Sequence, residues 1–175
     1  MSRSPENILL YLSAAHEENV RGIFTELERR GFPRQNQTPH ISITFAPKLP
    51  SQVTDRAAEL MPALVPANFS RVGTVIFGTK RKQSVAWLLE TSDELEIAAR
   101  EISALNPEGR GPRWTPHLTM GLRLPKEIVP EYVRALDELS ARVGRELTAS
   151  QAGHWKSVSQ EFHPYSTSLS TTANG

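Results

Sequence analysis

The chain has 175 residues, 38% of them apolar and 22% charged, with a formal net charge of +1. That length gives room for one domain or two small lobes around a real core, and the near-zero charge leaves no global field, so any basic footprint must be local. The lack of cysteine excludes disulfides, thiolate nucleophiles and Cys-ligated zinc; the polar first residues lack a signal-peptide core and no apolar run reaches the ~20 residues of a membrane span, so a cytoplasmic protein is expected.

In chain order, Ile8 to Ser13 reads as a short buried strand. Glu17 to Arg30 has helical spacing, with Val20, Ile23, Phe24 and Leu27 on one face. A loop with Gly31, Pro33 and Arg34 leads to a strand over His40 to Ala46, closed by Pro47 and Pro50. Ser51 is a candidate N-cap for a helix to about Leu64. Phe69 to Phe77 and Ser84 to Glu90 read as strands joined by a hairpin-like loop carrying Lys80, Arg81 and Lys82.

An acidic turn (Ser92, Asp93, Glu94) then opens a helix to about Leu105. A loop with Gly109, Gly111, Pro112 and Arg113 leads to a strand over His117 to Leu122, which Pro125 closes. A helix follows from about Lys126 to Ser140, then strands over Glu146 to Val158 and Phe162 to Leu169, with Gly153 a candidate bulge. The last ten residues, STSLSTTANG, are polar and expected to fray.

Shifting the chain by 77 residues places strand on strand and helix on helix, and His40 on His117. The pattern is a duplicated β-α-β-α-β unit, spanning about 6–78 and 83–170. Two such units predict two lobes about a pseudo-two-fold axis, with equivalent strands meeting at a central groove.

Each unit carries the same phrase. The first reads Thr38-Pro39-His40-Ile41-Ser42-Ile43 and the second Thr115-Pro116-His117-Leu118-Thr119-Met120. Ser and Thr fill 29 of 175 positions, so a His followed two residues on by a hydroxyl is near chance among five histidines. The Thr-Pro prefix carries the information: both motif histidines have it, and His16, His154 and His163 do not. Pro is tolerated as the first residue of a strand and biases its predecessor to extended geometry, so the phrase fixes where each strand begins. Residues i and i+2 of a strand share a face, so each copy offers one imidazole beside one hydroxyl. Two such pairs facing each other suit a phosphate ester. A neutral imidazole takes a proton, a protonated one gives a proton to the leaving oxygen, and Ser42 and Thr119 hold non-bridging oxygens. This chemistry requires no metal and no cofactor. Zinc-binding His spacings are absent, as are the P-loop and dinucleotide fingerprints.

The paired motifs and the duplicated unit resemble the two-histidine (2H) phosphoesterase superfamily, whose mark is a pair of H-x-[ST]-φ motifs, φ being apolar. The closest-looking branch is the 2′-5′ RNA ligase or RNA 2′,3′-cyclic phosphodiesterase family, over roughly residues 6–170. The resemblance implies one α+β domain over 1–175, bilobal, with antiparallel sheets lining a cleft and the option of strands exchanged between lobes. It implies His40 and His117 as the acid–base pair and Ser42 and Thr119 as phosphate ligands. It implies RNA ends or nucleotides with a cyclic phosphate as partners, without membrane or metal, and a monomeric enzyme that opens 2′,3′-cyclic phosphates. The alternatives are a nucleotide- or RNA-binding module with little catalysis, and a 2′-5′ ligase or 2′-5′ phosphodiesterase. The first motif carries Ser where Thr is commoner, and Arg123 lies further along its strand than the arginine of many members.

Further residues have two readings each. Arg34 and Arg113 flank the motifs and are either phosphate clamps or solvated loop residues. Trp114 either stacks a base or fills a lobe core. The Lys80-Arg81-Lys82 loop either follows a nucleic-acid backbone or is a solvated tip. Phe45 shares the parity of Ile41 and Ile43 and is expected in the core. His154, His163 and Tyr165 are candidates for the cleft wall by residue type only, and His16 for a helix-start surface position.

Overall fold

A computed structural model describes residues 5–165. The strands are β1 (Glu6–Leu12), β2 (His40–Ala46), β3 (Ala67–Phe77), β4 (Lys82–Thr91), β5 (His117–Pro125), β6 (Glu146–Lys156) and β7 (Glu161–Pro164). The helices are α1 (Ala14–Arg29), α2 (Ser51–Leu60), α3 (Asp93–Ala104) and α4 (Val129–Ser140). The order is therefore β-α-β-α-β twice, and every element of the first unit falls on its counterpart 77 residues later. The fold is α+β, with seven antiparallel strands ordered β2-β1-β6-β3-β4-β5 and β7 beside β6.

The final strand of each unit crosses to the other. β3 pairs with β4 of the second unit, and β6 returns to pair with β1 of the first. The two crossing strands pair with each other at the centre, Ala67 with Ala149 through Ser70 with Glu146. This central pairing is the pseudo-two-fold axis of one continuous sheet, with β1 and β2 on one side of it and β4 and β5 on the other.

Helices cover the other face. Val20, Ile23, Phe24 and Leu27 of α1 are buried, as helical spacing predicts. One continuous apolar cluster runs from Ile8 and Leu10 through Phe69 and Trp87 to Tyr132 and Leu136, so the two units share a core. The helix pairs α1/α4 and α2/α3 each join one unit to the other, and Arg–Glu pairs bridge both: Arg30 to Glu138, and Arg56 to Glu101. No helix among the described residues is long and apolar enough to cross a membrane.

Several sequence expectations need correction. Ser51 is not the N-cap of α2: Pro50 is already extended and caps the helix without a side-chain bond. That helix ends at Leu60 and continues as a 3-10 turn, Met61–Ala63; α4 likewise follows a 3-10 turn, Lys126–Ile128. Gly153 is not a bulge. It pairs regularly with Leu9 and Pro164, and it is glycine because a Cβ there would lie 2.5 Å from the Phe162 ring and from the His163 carbonyl. The bulge in β6 falls at Ser150, where Tyr11 pairs with Gln151 and Leu12 with Ala149. The final strand is described over Glu161–Pro164; residues 166–169 and the polar tail lie outside the described residues.

Candidate active site

The two Thr-Pro-His phrases build the same local structure twice. In each, the histidine that follows Pro is the first residue of its strand. The imidazole folds back on its own backbone: His40 Nδ1 lies 2.7 Å from the Thr38 carbonyl, and His117 Nδ1 lies 2.7 Å from the Thr115 carbonyl. A carbonyl only accepts, so each Nδ1 carries the hydrogen. Nε2 is therefore the nitrogen that can accept a proton when the ring is neutral and give one when it is protonated.

His40 and Ser42 are half-buried and alternate with buried Ile41 and Ile43; His117 and Thr119 alternate in the same way with Leu118 and Met120. Each histidine thus shares a face with its hydroxyl. Burial is the main influence on both rings and lowers both pKa values from the usual imidazole range, against the opposing pull of the carbonyl bond. His117 is lowered further by the charges of His40 and Arg110. The two strands that carry the histidines, β2 and β5, lie against each other. Phe77 packs on the His117 ring with centroids 4.6 Å apart.

The two motif strands also share a β-bulge. Leu9 pairs with Ser42 and Ile8 with Thr44, so Ile43 is an extra residue in β2. Ala86 pairs with Thr119 and Val85 with Gly121, so Met120 is the extra residue in β5. A bulge reverses the side-chain alternation beyond it. Thr44 therefore turns into the core, and Phe45 turns out onto the face of His40 and Ser42, 57% exposed. This corrects its expected core position. Leu122, its repeat counterpart, is 49% exposed on the equivalent face.

Asn7 and the loops before β2 and β5 hold this arrangement. Asn7 Nδ2 donates to Ser42 Oγ at 2.7 Å. Its repeat counterpart, Ser84, instead accepts from the Arg123 backbone N–H, so the two hydroxyls are held differently. Gln35, buried in the first loop, accepts from the Leu122 N–H on β5. Asn106, buried in the second loop, donates to Thr44 Oγ1 at 2.8 Å and to the Phe45 carbonyl at 3.1 Å on β2. Each loop thus braces the motif strand of the other unit just beyond its bulge. Sequence reasoning missed all three. Their signal was only that Asn7 and Gln35 are amides beside otherwise apolar or motif segments, and that Asn106 directly follows a helix.

The other candidates separate. A pocket between the motif strands and the second loop is lined by Ser42, Phe45, Arg110, Arg113 and His117. Arg113 therefore shares a pocket with Ser42 and His117, together with Glu108 and with Arg110, which sequence reasoning did not single out; His40 and Thr119 are not in that lining. Arg34 is elsewhere, its side chain 71% exposed and 3.9 Å from Glu28. Trp114 is only 8% exposed within the core cluster, and its Nε1–H donates to the Ser42 carbonyl. It braces β2, and the small part of it left exposed lies in the lining of the same pocket. His154 is buried on the helix side, 3.1 Å from Glu6, and Tyr165 donates to the Thr54 carbonyl there. His163 is exposed beside Glu161. His16 links Ser13 and the Thr148 N–H through Nδ1. Besides Phe45 and Phe77, Tyr11 lies near the motif, pairing with His40 and in edge contact with Phe162 at 4.7 Å. Among the described residues no cluster of three His, Cys, Asp or Glu could hold a metal ion.

The chain shares the fold of Usb1. The structure of Usb1 from Kluyveromyces marxianus, determined with uridine monophosphate, aligns with 94% of this chain and 99% of its own, with a TM-score of 0.54 and 11% sequence identity. At that identity the likeness is one of fold. No family model and no curated protein matches the sequence.

Proposed function

We propose that this chain is a phosphodiesterase that opens 2′,3′-cyclic phosphates on RNA ends or nucleotides, using His40 and His117 as general acid and base. The reading rests chiefly on the matched Nδ1–H···O=C bonds of the two histidines, which direct both Nε2 atoms to the same task. The 2H-like motifs support it, as does a shared fold with a protein solved with a nucleotide.

In the proposed reaction, one neutral Nε2 takes a proton from water as the water oxygen forms a bond to phosphorus. The P–O bond to one ribose oxygen breaks, and the opposite imidazolium gives that oxygen its Nε2 proton. The product is a phosphomonoester on one hydroxyl and a free hydroxyl on the other. The two imidazoles exchange protonation states in the process and reset through solvent. Ser42, Thr119, Arg110 and Arg113 stabilise the charge growing on the non-bridging oxygens. Each proton transfer is worth ~10²–10⁴-fold in rate.

The test is turnover of 2′,3′-cyclic nucleotides and cyclic-ended oligoribonucleotides in EDTA. Activity should persist without added metal, and each of His40→Ala and His117→Ala should reduce it by ~10²-fold or more. Full activity in either variant overturns the mechanism.

A further inference from the structure

The two strands that leave His117 arrive together at a basic concavity that the proposed chemistry does not use. β5 runs from His117 to Arg123 and on to Lys126. β3 passes the His117 ring at Phe77 and turns at Gly78 into the loop of Lys80, Arg81 and Lys82. Thr79, Lys80, Arg81, Lys82, Arg123 and Lys126 line one open concavity, with Glu127 its one carboxylate.

This tip is built. Gly78 has φ +104°, and a Cβ there would lie 2.9 Å from the Lys82 carbonyl, so only glycine makes the turn. Gln83 Nε2 donates back to the Gly78 carbonyl at 3.0 Å. The Lys126 N–H donates to the Arg81 carbonyl at 2.9 Å, which ties the loop to the end of β5. Arg123 has φ +49°, with its N–H on Ser84 Oγ, so its side chain leaves the strand at the rim.

The cations are also uncommitted. Arginines of the helical layer, such as Arg30, Arg56 and Arg100, are paired with glutamates. The five at the tip are all exposed and enter no salt bridge among the described residues. The net charge of +1 conceals this segregation. The lining contains no apolar side chain that could enter a lipid layer or seat a folded protein. Its chemistry suits a chain of separate single negative charges.

We propose that this concavity binds the phosphodiester backbone of the substrate strand, several nucleotides inward from the end held between His40 and His117, and so selects RNA chain ends over free nucleotides. The inference builds on the proposed reaction and adds a substrate length. Leu88 pairs with His117 and Lys82 with Pro125, six residues along β4. At ~3.3 Å per residue that is ~20 Å, and at ~3.4 Å per stacked nucleotide about six nucleotides bridge the gap.

The experiment compares a cyclic-ended dinucleotide with a cyclic-ended oligoribonucleotide of about eight residues, in wild type and in Lys80→Ala/Lys82→Ala/Lys126→Ala. In wild type the longer substrate has the lower KM. The triple variant raises that KM about 10-fold with kcat retained, brings it towards the dinucleotide value, and lowers the salt slope of binding by ~0.7 per contact removed. Arg100→Ala, on the α3 surface, is the control. Equal KM values for both lengths in wild type, or an equal loss on both in the variant, overturn the proposal. Binding of the same oligonucleotide with a 3′-phosphate end, read by fluorescence anisotropy, separates the two readings. If no cyclic substrate turns over but this binding is lost in the triple variant, the proposed reaction fails and the strand site stands. If an acidic polypeptide at equal charge displaces the oligonucleotide fully, the patch is a general anion surface and the strand site fails.

Discussion

Asn7 donates its Nδ2–H to Ser42 Oγ at 2.7 Å, and this bond sets the direction of the serine hydroxyl. An oxygen that already accepts from the amide keeps its own hydrogen to donate elsewhere, and the half-buried Ser42 faces the cleft beside His40. Asn7 Oδ1 is buried and has no partner among the described residues, so the amide is retained at a cost in stability. In the proposed reaction Ser42 must donate to phosphate, and Asn7 is the residue that orients it.

Asn7→Ala should therefore lower kcat/KM by ~3–10-fold, the size of one hydrogen bond at ~0.5–1.5 kcal/mol. Asn7→Asp should be worse than Asn7→Ala, because a carboxylate accepts the Ser42 hydroxyl hydrogen and adds a negative charge near the phosphate. Steady-state kinetics on a cyclic nucleotide, with melting curves for both variants, decide this. An aspartate variant as active as wild type would remove Asn7 from the orienting role.

The histidines set the pH dependence. Burial lowers the pKa of both His40 and His117, so the window in which one ring is neutral and the other protonated lies below the usual imidazole value of ~6.5. The kcat/KM profile should be bell-shaped with its optimum on the acid side of that value, and should fall as pH rises through neutrality because the acid loses its proton. Stability has a definite sign. Between the folded pKa values and ~6.5 the unfolded chain binds more protons than the folded one, so stability falls as pH falls through that window. His154, also lowered chiefly by burial, acts in the same direction. The loss of denaturation midpoint between neutral and mildly acid pH should be smaller in His40→Ala/His117→Ala than in wild type; an equal loss would mean that these rings do not report their burial.

The repeat and its two phrases were legible because they are local. Pro39 and Pro116 fix strand starts by steric rules that act on adjacent residues, and His40–Ala46 was read with its observed limits. Phe45 departs from its expected core position because strand alternation fails where a bulge intervenes, and the bulge at Ile43 arises from the pairing with β1, more than thirty residues earlier. Gln35 and Asn106 escaped for the same reason, since each acts on a strand of the other unit. Gly153 looked like a bulge because a glycine in a strand signals either a bulge or a close approach, and only the position of Phe162 decides between them.

The reciprocal braces predict a coupled loss of stability and activity. Asn106→Ala leaves buried Thr44 Oγ1 and the Phe45 carbonyl without the amide they share, at ~1–3 kcal/mol. Gln35→Ala likewise strips the Leu122 N–H of its acceptor. Both should lower the denaturant midpoint without changing the slope. Each should also reduce kcat on a cyclic nucleotide, because the bulge that turns Phe45 or Leu122 onto the histidine face is no longer pinned. Loss of stability with kcat untouched would show that the bulges hold their shape without the loops.

Gly121 and Gly153 give a contrast between the two sheet faces. A Cβ on Gly121 would lie 2.6 Å from the Tyr132 ring and 2.7 Å from Leu124, inside the core behind β5. Tyr132 cannot yield easily, since it is buried and its hydroxyl donates to the Met120 carbonyl at the bulge itself. A Cβ on Gly153 instead meets the Phe162 ring and the His163 carbonyl, both on the short outer strand β7, which among the described residues pairs with β6 alone. Gly121→Ala should therefore destabilise at the upper end of the ~1–3 kcal/mol range for overpacking and also lower kcat by shifting Thr119. Gly153→Ala should destabilise less, with its increased hydrogen exchange confined to β7 and the adjoining part of β6. Denaturation and exchange measured on the two variants test the contrast, and equal destabilisation would mean that β7 is as firmly held as the core.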